Sequence, residues 1–235
     1  MSSRPIVIAV DGTAASGKGT LAKLLARYWR FAHLDSGKLY RLVGMAVLEA
    51  HGDPTSESDA LKAVDAIFPD LSNPTKIDDL RLVGGDASAA ASLVAANAKV
   101  RAALLALQRA FAASPPGGAA GACIDGRDIG TVVCPYATAK LFVDARPETR
   151  AHRRWLELKS HDKPGSPPVP DEPAILADIN ARDARDRTRA VAPLVPADDA
   201  ALLDTTGLDI DAAFAAALGL VSTKVEEALK ARHRG

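Results

Sequence analysis

The stretch PIVIAVDGTAASGKGT, residues 5–20, limits what this chain can fold into more than any other. Its β-branched first half is a short, continuous apolar run of the kind buried on both faces of a parallel sheet. A glycine-rich turn follows at 12–19, and then a helical pattern over 20–30 with Leu21, Leu24 and Leu25 on one face. Strand, glycine turn and helix in that order open an α/β domain. The turn itself, Gly12, Thr13, Ala14, Ala15, Ser16, Gly17, Lys18, Gly19 and Thr20, reads as a phosphate-binding loop. Glycines let successive backbone N–H groups converge on phosphate oxygens, the helix presents its positive end, and Lys18 adds a point charge.

One position departs from the general pattern. Most such loops carry Ser or Thr after the lysine as a direct Mg²⁺ ligand, and this chain has Gly19. Any Mg²⁺ must then rely on phosphate oxygens, waters and carboxylates elsewhere in the chain.

The rest of the sequence repeats the strand–helix alternation. Short strands are expected at 31–34, 122–125, 140–144 and 202–204. Helices are expected at 39–50, 59–68, 87–112, 147–159 and 174–188, with a terminal helix capped by Asp209 or Asp211. A small hairpin is expected at 76–83, the clearest loop at 114–121, and a proline-rich loop or flap at 161–173. No internal repeat breaks this into separate units, so one parallel α/β sheet is the expected architecture.

Charge narrows the partners. Lys plus Arg and Asp plus Glu number 29 each, which gives no global basic field for a nucleic acid polymer or an anionic membrane. The longest apolar run, 212–221, is too short for the about 20 residues that a membrane-spanning helix needs. Cys123 and Cys134 lack metal-ligand spacing and read as small buried hydrophobes. The cytoplasm is the expected compartment, and a monomer the expected state.

Three further segments carry chemistry. In HLDSGKLYR, residues 33–41, Ser36 and Gly37 suit a helix start that can meet an anion, with Arg41 one turn on. By itself this also reads as a capped helix with a surface arginine. In CIDGRDIGT, residues 123–131, Asp125 stands at a strand end, placed to hold Mg²⁺ through water, and Arg127 offers a planar fork for a phosphate. In RDARDRTR, residues 182–189, helical spacing sets Arg182, Arg185, Asp186 and Arg189 on one face and Asp183 and Arg187 on another. A solvated, ion-paired helix is the ordinary alternative there.

Together these motifs resemble the bacterial cytidylate kinase family over nearly the whole chain. The matching segments are 11–20, 34–41, 100–111 (VRAALLALQRAF), 125–133 (DGRDIGTVV), 150–154 (RAHRR), 182–196 (RDARDRTRAVAPLVP) and 204–206. The resemblance implies a P-loop NTPase-type three-layer fold with a central parallel sheet. It also implies a division into core (1–35, 113–149, 174–235), acceptor-binding region (36–112) and small lid (150–173). The implied reaction is ATP plus CMP or dCMP giving ADP plus CDP or dCDP, with Mg²⁺. Positions matching the family's acceptor contacts are Ser36, Arg41, Ser92, Arg101, Arg127, Asp128, Arg182, Asp186 and Arg189. Lys18, Arg127 and Arg189 would carry the transfer, and Arg150 and Arg154 would close over the donor.

Base chemistry makes the acceptor set intelligible. Cytosine offers an amino donor at N4 and acceptors at N3 and O2, whereas uracil offers an O4 acceptor and an N3–H donor. A carboxylate such as Asp128 accepts from the first and repels the second, while Arg101 and Ser92 donate to the cytosine acceptors. A kinase for another small acceptor, or a nucleotide-dependent switch without turnover, are the competing readings; Gly19 counts against the switch.

Overall fold

The computed structural model describes residues 5–68, 85–160, 162 and 168–233. The expected hairpin at 76–83 and part of the proline-rich segment lie outside the described residues. Five strands, β1 (Ile6–Gly12), β2 (Ala32–Asp35), β3 (Gly121–Gly126), β4 (Ala139–Asp144) and β5 (Ala201–Asp204), form one sheet in the order β2-β3-β1-β4-β5. Every pairing is parallel. The central strand β1 is buried along its whole length, as its unbroken apolar run requires.

Alternation along β1 sorts the two faces. Ile6, Ile8 and Val10 pack with Leu21 and Leu25 of α1 (Lys18–Trp29) and with Ala217, Val221 and Val225 of α8 (Ile210–His233). Each fully buried leucine of this kind contributes about 1.5–3 kcal/mol of burial free energy. Val7 and Ala9 face the other way, onto Ile124, Ile129 and Phe111, the last from α5 (Ala98–Ala113). Helices on both faces of a parallel sheet make a three-layer α/β unit. Asp209 accepts from Ala212 N–H at 2.8 Å, so it is the residue that caps α8.

Beside this core, α2 (Ser36–Glu49), α3 (Glu57–Ile67) and α5 share a second apolar cluster built on Leu39, Val43, Val64, Leu104 and Leu107. The single helix expected over 87–112 is two helices, α4 (Gly85–Val94) and α5, whose axes bend by 101°. Asn97 makes the break: its side chain accepts from Lys99 N–H at 2.9 Å and Val100 N–H at 3.2 Å, capping α5 afresh. The bend lays α4 across α2, where a Cβ on Gly44 would come 2.8 Å from Ala90 Cβ.

A third pair, α6 (Pro147–Ser160) and α7 (Glu172–Thr188), packs through Ala151, Ile175 and Ile179 against Ala15 of the glycine loop. Asp171 caps α7 by accepting from Ala174 N–H at 2.9 Å, so that helix starts two residues before its expected 174. Among the described residues no single helix is long and apolar enough to cross a membrane.

Candidate active site

The strand ends converge at one edge of the sheet, where open α/β sheets take ligands. The glycine loop leaves β1 there. A Cβ on Gly12, at φ 152°, would collide with the Val143 carbonyl of the neighbouring strand, so only glycine fits. Ala15 (φ 57°) and Gly17 (φ 87°) are left-handed, the alternation that curls backbone N–H groups into an anion-binding nest. Three of the loop carbonyls have fixed partners. Thr13 O accepts from Ser16 Oγ at 3.0 Å, Ala14 O from Arg150 Nη1 at 3.1 Å, and Ser16 O from Thr205 Oγ1 at 3.0 Å. In a trans peptide the N–H lies opposite the C=O, so with Ala14 O on Arg150 and Ser16 O on Thr205 the amides of Ala15 and Gly17 are turned the other way. Thr13 Oγ1 donates to Asp144 Oδ1 at 2.6 Å and pins the loop to the end of β4.

Lys18 opens α1, with its ammonium 3.5 Å from Thr13 O. Burial first, and then the charge of Arg127, lower its pKa to about 7, against the pull of Asp125 and Asp35. A lysine so poorly compensated is set up for a polyanion. Asp35 and Asp125 stand side by side in the β2–β3 register. Burial alone would raise the Asp35 carboxyl, and Arg41 and Lys18 outweigh it, holding the group below the usual carboxylate range. Asp125, 3% exposed, accepts from His33 Nε2 at 2.8 Å, and its Oδ2 lies 3.4 Å from where a Cβ on residue 19 would be. The missing hydroxyl of Gly19 thus has a carboxylate beside its place.

Guanidinium groups crowd the cleft next to the loop. Arg41 pairs with Asp35 at 2.7 Å, and Arg127 Nε donates to Asp186 Oδ2 at 3.0 Å. Arg189 reaches Asp186 at 3.8 Å and Asp128 at 3.7 Å. Burial, with Arg127 next and Arg41 and Arg154 adding, pushes Arg182 down to about 10. Arg41 Nε, Arg182 Nε and Arg189 Nη2 are buried with no hydrogen-bond partner. Buried donors are almost always satisfied, and a charged one left over costs the most. Arg41 and Arg182 lie within electrostatic reach of each other, and Arg189 joins Arg127 on Asp186, so the leftover donors describe a site shaped for an anion. Ser36 lies on its wall, 2.5 Å from where a Cβ on Gly126 would be.

Deeper in, Arg101 Nη2 donates to Asp128 Oδ2 at 2.5 Å, with both side chains 8% exposed. Arg101 also lies over the Tyr40 ring, 5.6 Å from its centroid. Tyr40, Arg101, Gln108, Asp128 and Val133 line a cavity of about 150 Å³. A carboxylate accepting beside a guanidinium donating is the hydrogen-bond pattern complementary to the cytosine edge.

Most of the expected residues meet here, and two are placed differently. Ser92 accepts from Arg185 Nε at 3.2 Å and lines a neighbouring cavity of about 230 Å³ with Asp186 and Arg189, apart from the Arg101–Asp128 cavity. Arg150 is not a lid arginine free to swing over a donor. It is 2% exposed and spends its guanidinium on Ala145 O at 2.8 Å, Ala14 O and Asp183 at 2.7 Å, holding the loop from behind. Arg154 differs from it: its guanidinium pairs with Glu157 at 2.7 Å, within electrostatic reach of Arg182. Thr20 faces solvent in the first turn of α1.

Four supporting residues escaped the sequence reading. Asp11 accepts from Ile129 N–H and Gly130 N–H, each at 2.7 Å, and so fixes the turn that carries Asp128. Burial raises its pKa to about 6 against those two hydrogen bonds. His33, Asp35 and Tyr40 complete the set. An aspartate at the close of a strand was the available signal, at Asp11 and Asp35 alike.

The family model described as cytidylate kinase matches residues 8–223. A cytidylate kinase of Rhodospirillum rubrum is 50% identical over 94% of this chain and 100% of its own length. One from Paramagnetospirillum magneticum is 53% identical over 93% of this chain and 98% of its own. A solved structure from Eubacterium ventriosum, of an uncharacterized protein, shares the fold alone, with a TM-score of 0.50 at 13% identity over 92% of this chain and 98% of its own. With the family model matching residues 8–223 and a relative 50% identical over 94% of it, the chain belongs to the cytidylate kinase family.

Proposed function

We propose that this protein transfers the γ-phosphoryl group of ATP to CMP or dCMP, giving ADP and CDP or dCDP. The supporting observation is the set of buried guanidinium N–H groups on Arg41, Arg182 and Arg189 that make no hydrogen bond within the protein. Two polyanions can meet end to end there, the donor in the amide nest with Lys18 and the acceptor phosphate among Arg41, Arg127 and Arg189. Phosphoryl transfer needs little covalent help; it needs in-line placement and cations around the transferred group. No general base is required, because the acceptor phosphate is already an anion at neutral pH.

The acceptor base enters the cavity of Arg101 and Asp128. Asp128 accepts from the N4 amine and Arg101 donates to the ring acceptors, with Ser92 approaching from the adjacent cavity. Asp186 accepts from the ribose hydroxyls with Arg182 beside it. Uracil would set its O4 carbonyl against the Asp128 carboxylate, and discrimination built on leaving a buried charge unpaired is strong.

The residues fit Mg²⁺. Among the described residues no group of three or more His, Cys, Asp or Glu forms a metal cage. Asp125, with Oδ2 beside Gly19, would hold it through water. When bound, the ion would supply positive charge to offset that of the phosphates.

The chain works as a core (1–35, 113–149, 174–235) with an acceptor-binding region (36–112) and a lid (150–173). The lid brings Arg154 over the donor and excludes water, a competing acceptor. Arg150 acts on ATP through Ala14 of the loop. The protein acts as a cytoplasmic monomer on small nucleotides, with no membrane or nucleic acid polymer involved. A coupled assay with ATP and CMP, dCMP, UMP, AMP and dTMP tests the reading. CMP and dCMP are expected to give the highest kcat/KM, and faster turnover of AMP than of CMP would refute it.

A further inference from the structure

We propose that His33 is a positioning residue that fixes the Asp125 carboxylate in the orientation facing the phosphate loop. The inference rests on the reading of Asp125 given above.

His33 lies on the edge strand β2, diagonal to Asp125 on β3: the register pairs His33 with Cys123 and Asp35 with Asp125. Diagonal neighbours on one face of a sheet are within reach of a long side chain. The imidazole spans that gap, and its Nε2 stands 2.8 Å from Asp125 Oδ1. A carboxylate only accepts, so Nε2 is the donor in this bond.

The consequence lies at the other oxygen. With Oδ1 tied to the imidazole, the carboxylate plane is set and Oδ2 faces residue 19, 3.4 Å from the position a Cβ would take. In loops that carry Ser or Thr there, a hydroxyl on that residue meets Mg²⁺ directly. Here the side chain is gone, and an aspartate from a different strand is brought to the same spot and oriented by a histidine from a third. His33 side-chain exposure is 20% and that of Asp125 is 4%, so the imidazole covers the carboxylate from the sheet edge. A partner that orients a metal-facing carboxylate tunes metal affinity by about tenfold or more without being a ligand.

The test titrates Mn²⁺, a paramagnetic stand-in for Mg²⁺, into the full-length protein with ADP and follows it by electron paramagnetic resonance. His33→Phe keeps the ring volume without the donor, and His33→Ala removes both. Both are expected to weaken Mn²⁺ binding to the ADP complex by about tenfold. His33→Gln, whose amide can donate from a similar place, should recover most of the loss. The KM for CMP should stay within about twofold in all three, since none touches the acceptor site. Asp125→Asn in the same titration separates the two claims. If it weakens Mn²⁺ binding while the Phe and Ala variants bind like wild type, the role of His33 is overturned alone. If Asp125→Asn binds Mn²⁺ like wild type, the metal reading of Asp125 falls, and the proposal with it.

Discussion

Lys18→Ala loses turnover by at least about a thousandfold while the protein stays folded. Removing one preorganised donor from a transition state costs about 10²–10³ in rate, and Lys18 is the full positive charge of the donor site. The fold should survive because the ammonium is a burden to the ligand-free chain. Burial and Arg127 hold its pKa near 7, against 10.5 for an ordinary lysine. Between those values the unfolded chain binds more protons than the folded one, so stability rises with pH across the window. The Lys18 contribution is thus at its least favourable at and below pH 7, where removing the charge relieves the folded state.

Nucleotide binding carries the opposite sign. Bound phosphates keep Lys18 protonated, so binding above pH 7 takes up a proton and ADP affinity falls as pH climbs from 7.5 to 9. Calorimetry in buffers of different ionisation enthalpy reads that uptake directly. Lys18→Arg, charged throughout, should show none. Near-normal rates in Lys18→Ala, or uptake that persists in Lys18→Arg, would remove the lysine from the donor site.

The second large effect lies at the base. Asp128→Ala is expected to lower kcat/KM for CMP by about 10³ or more while changing UMP far less, so that selectivity collapses. Sites that hydrogen-bond a polar group reject its absence by about 10⁴–10⁵, and the carboxylate is the half of this pair that tells an amine from a carbonyl. The substitution also strands Arg101, 8% exposed and paired with Asp128 at 2.5 Å. Breaking one side of a buried pair costs about 3–5 kcal/mol. Asp128→Asn separates the effects: its amide keeps the shape, can donate to the uracil O4, and should raise UMP turnover relative to CMP. Equal losses on both acceptors in the Ala and Asn variants would show that this side chain does not read the base.

The local parts of this site were legible in the sequence and the reciprocal parts were not. Residues 5–20 announce strand, nest and helix because period and glycine placement are local properties. The family motifs name the arginines. What neither conveys is which carboxylate neutralises which cation, since partners such as Asp11 with Gly130, His33 with Asp125 and Arg150 with Asp183 come from separate stretches of chain. Arg150 is the sharpest case. From RAHRR it is expected as a lid arginine closing over the donor, and only the packing of α6 on α7 turns it inward onto Ala14 O.

The break at Asn97 failed for another reason. Alanine and leucine on both sides favour helix so uniformly that a continuous element from 87 to 112 is the natural reading. The Asn97 cap competes at one point and wins because the bend lets α4 pack on Gly44.

The central claim, two nucleotides meeting end to end in one cleft, is tested most directly with a bisubstrate compound that joins adenosine and cytidine through five phosphates. Occupying the nest and the guanidinium cluster together, it should bind at least about a hundredfold more tightly than ADP or CMP alone, by the gain in effective concentration. It should compete with both ATP and CMP, and Arg41→Ala and Lys18→Ala should each weaken it. Competition with ATP alone, at an affinity no better than that of ADP and indifferent to Arg41, would mean that the arginines and the glycine loop do not share a cleft.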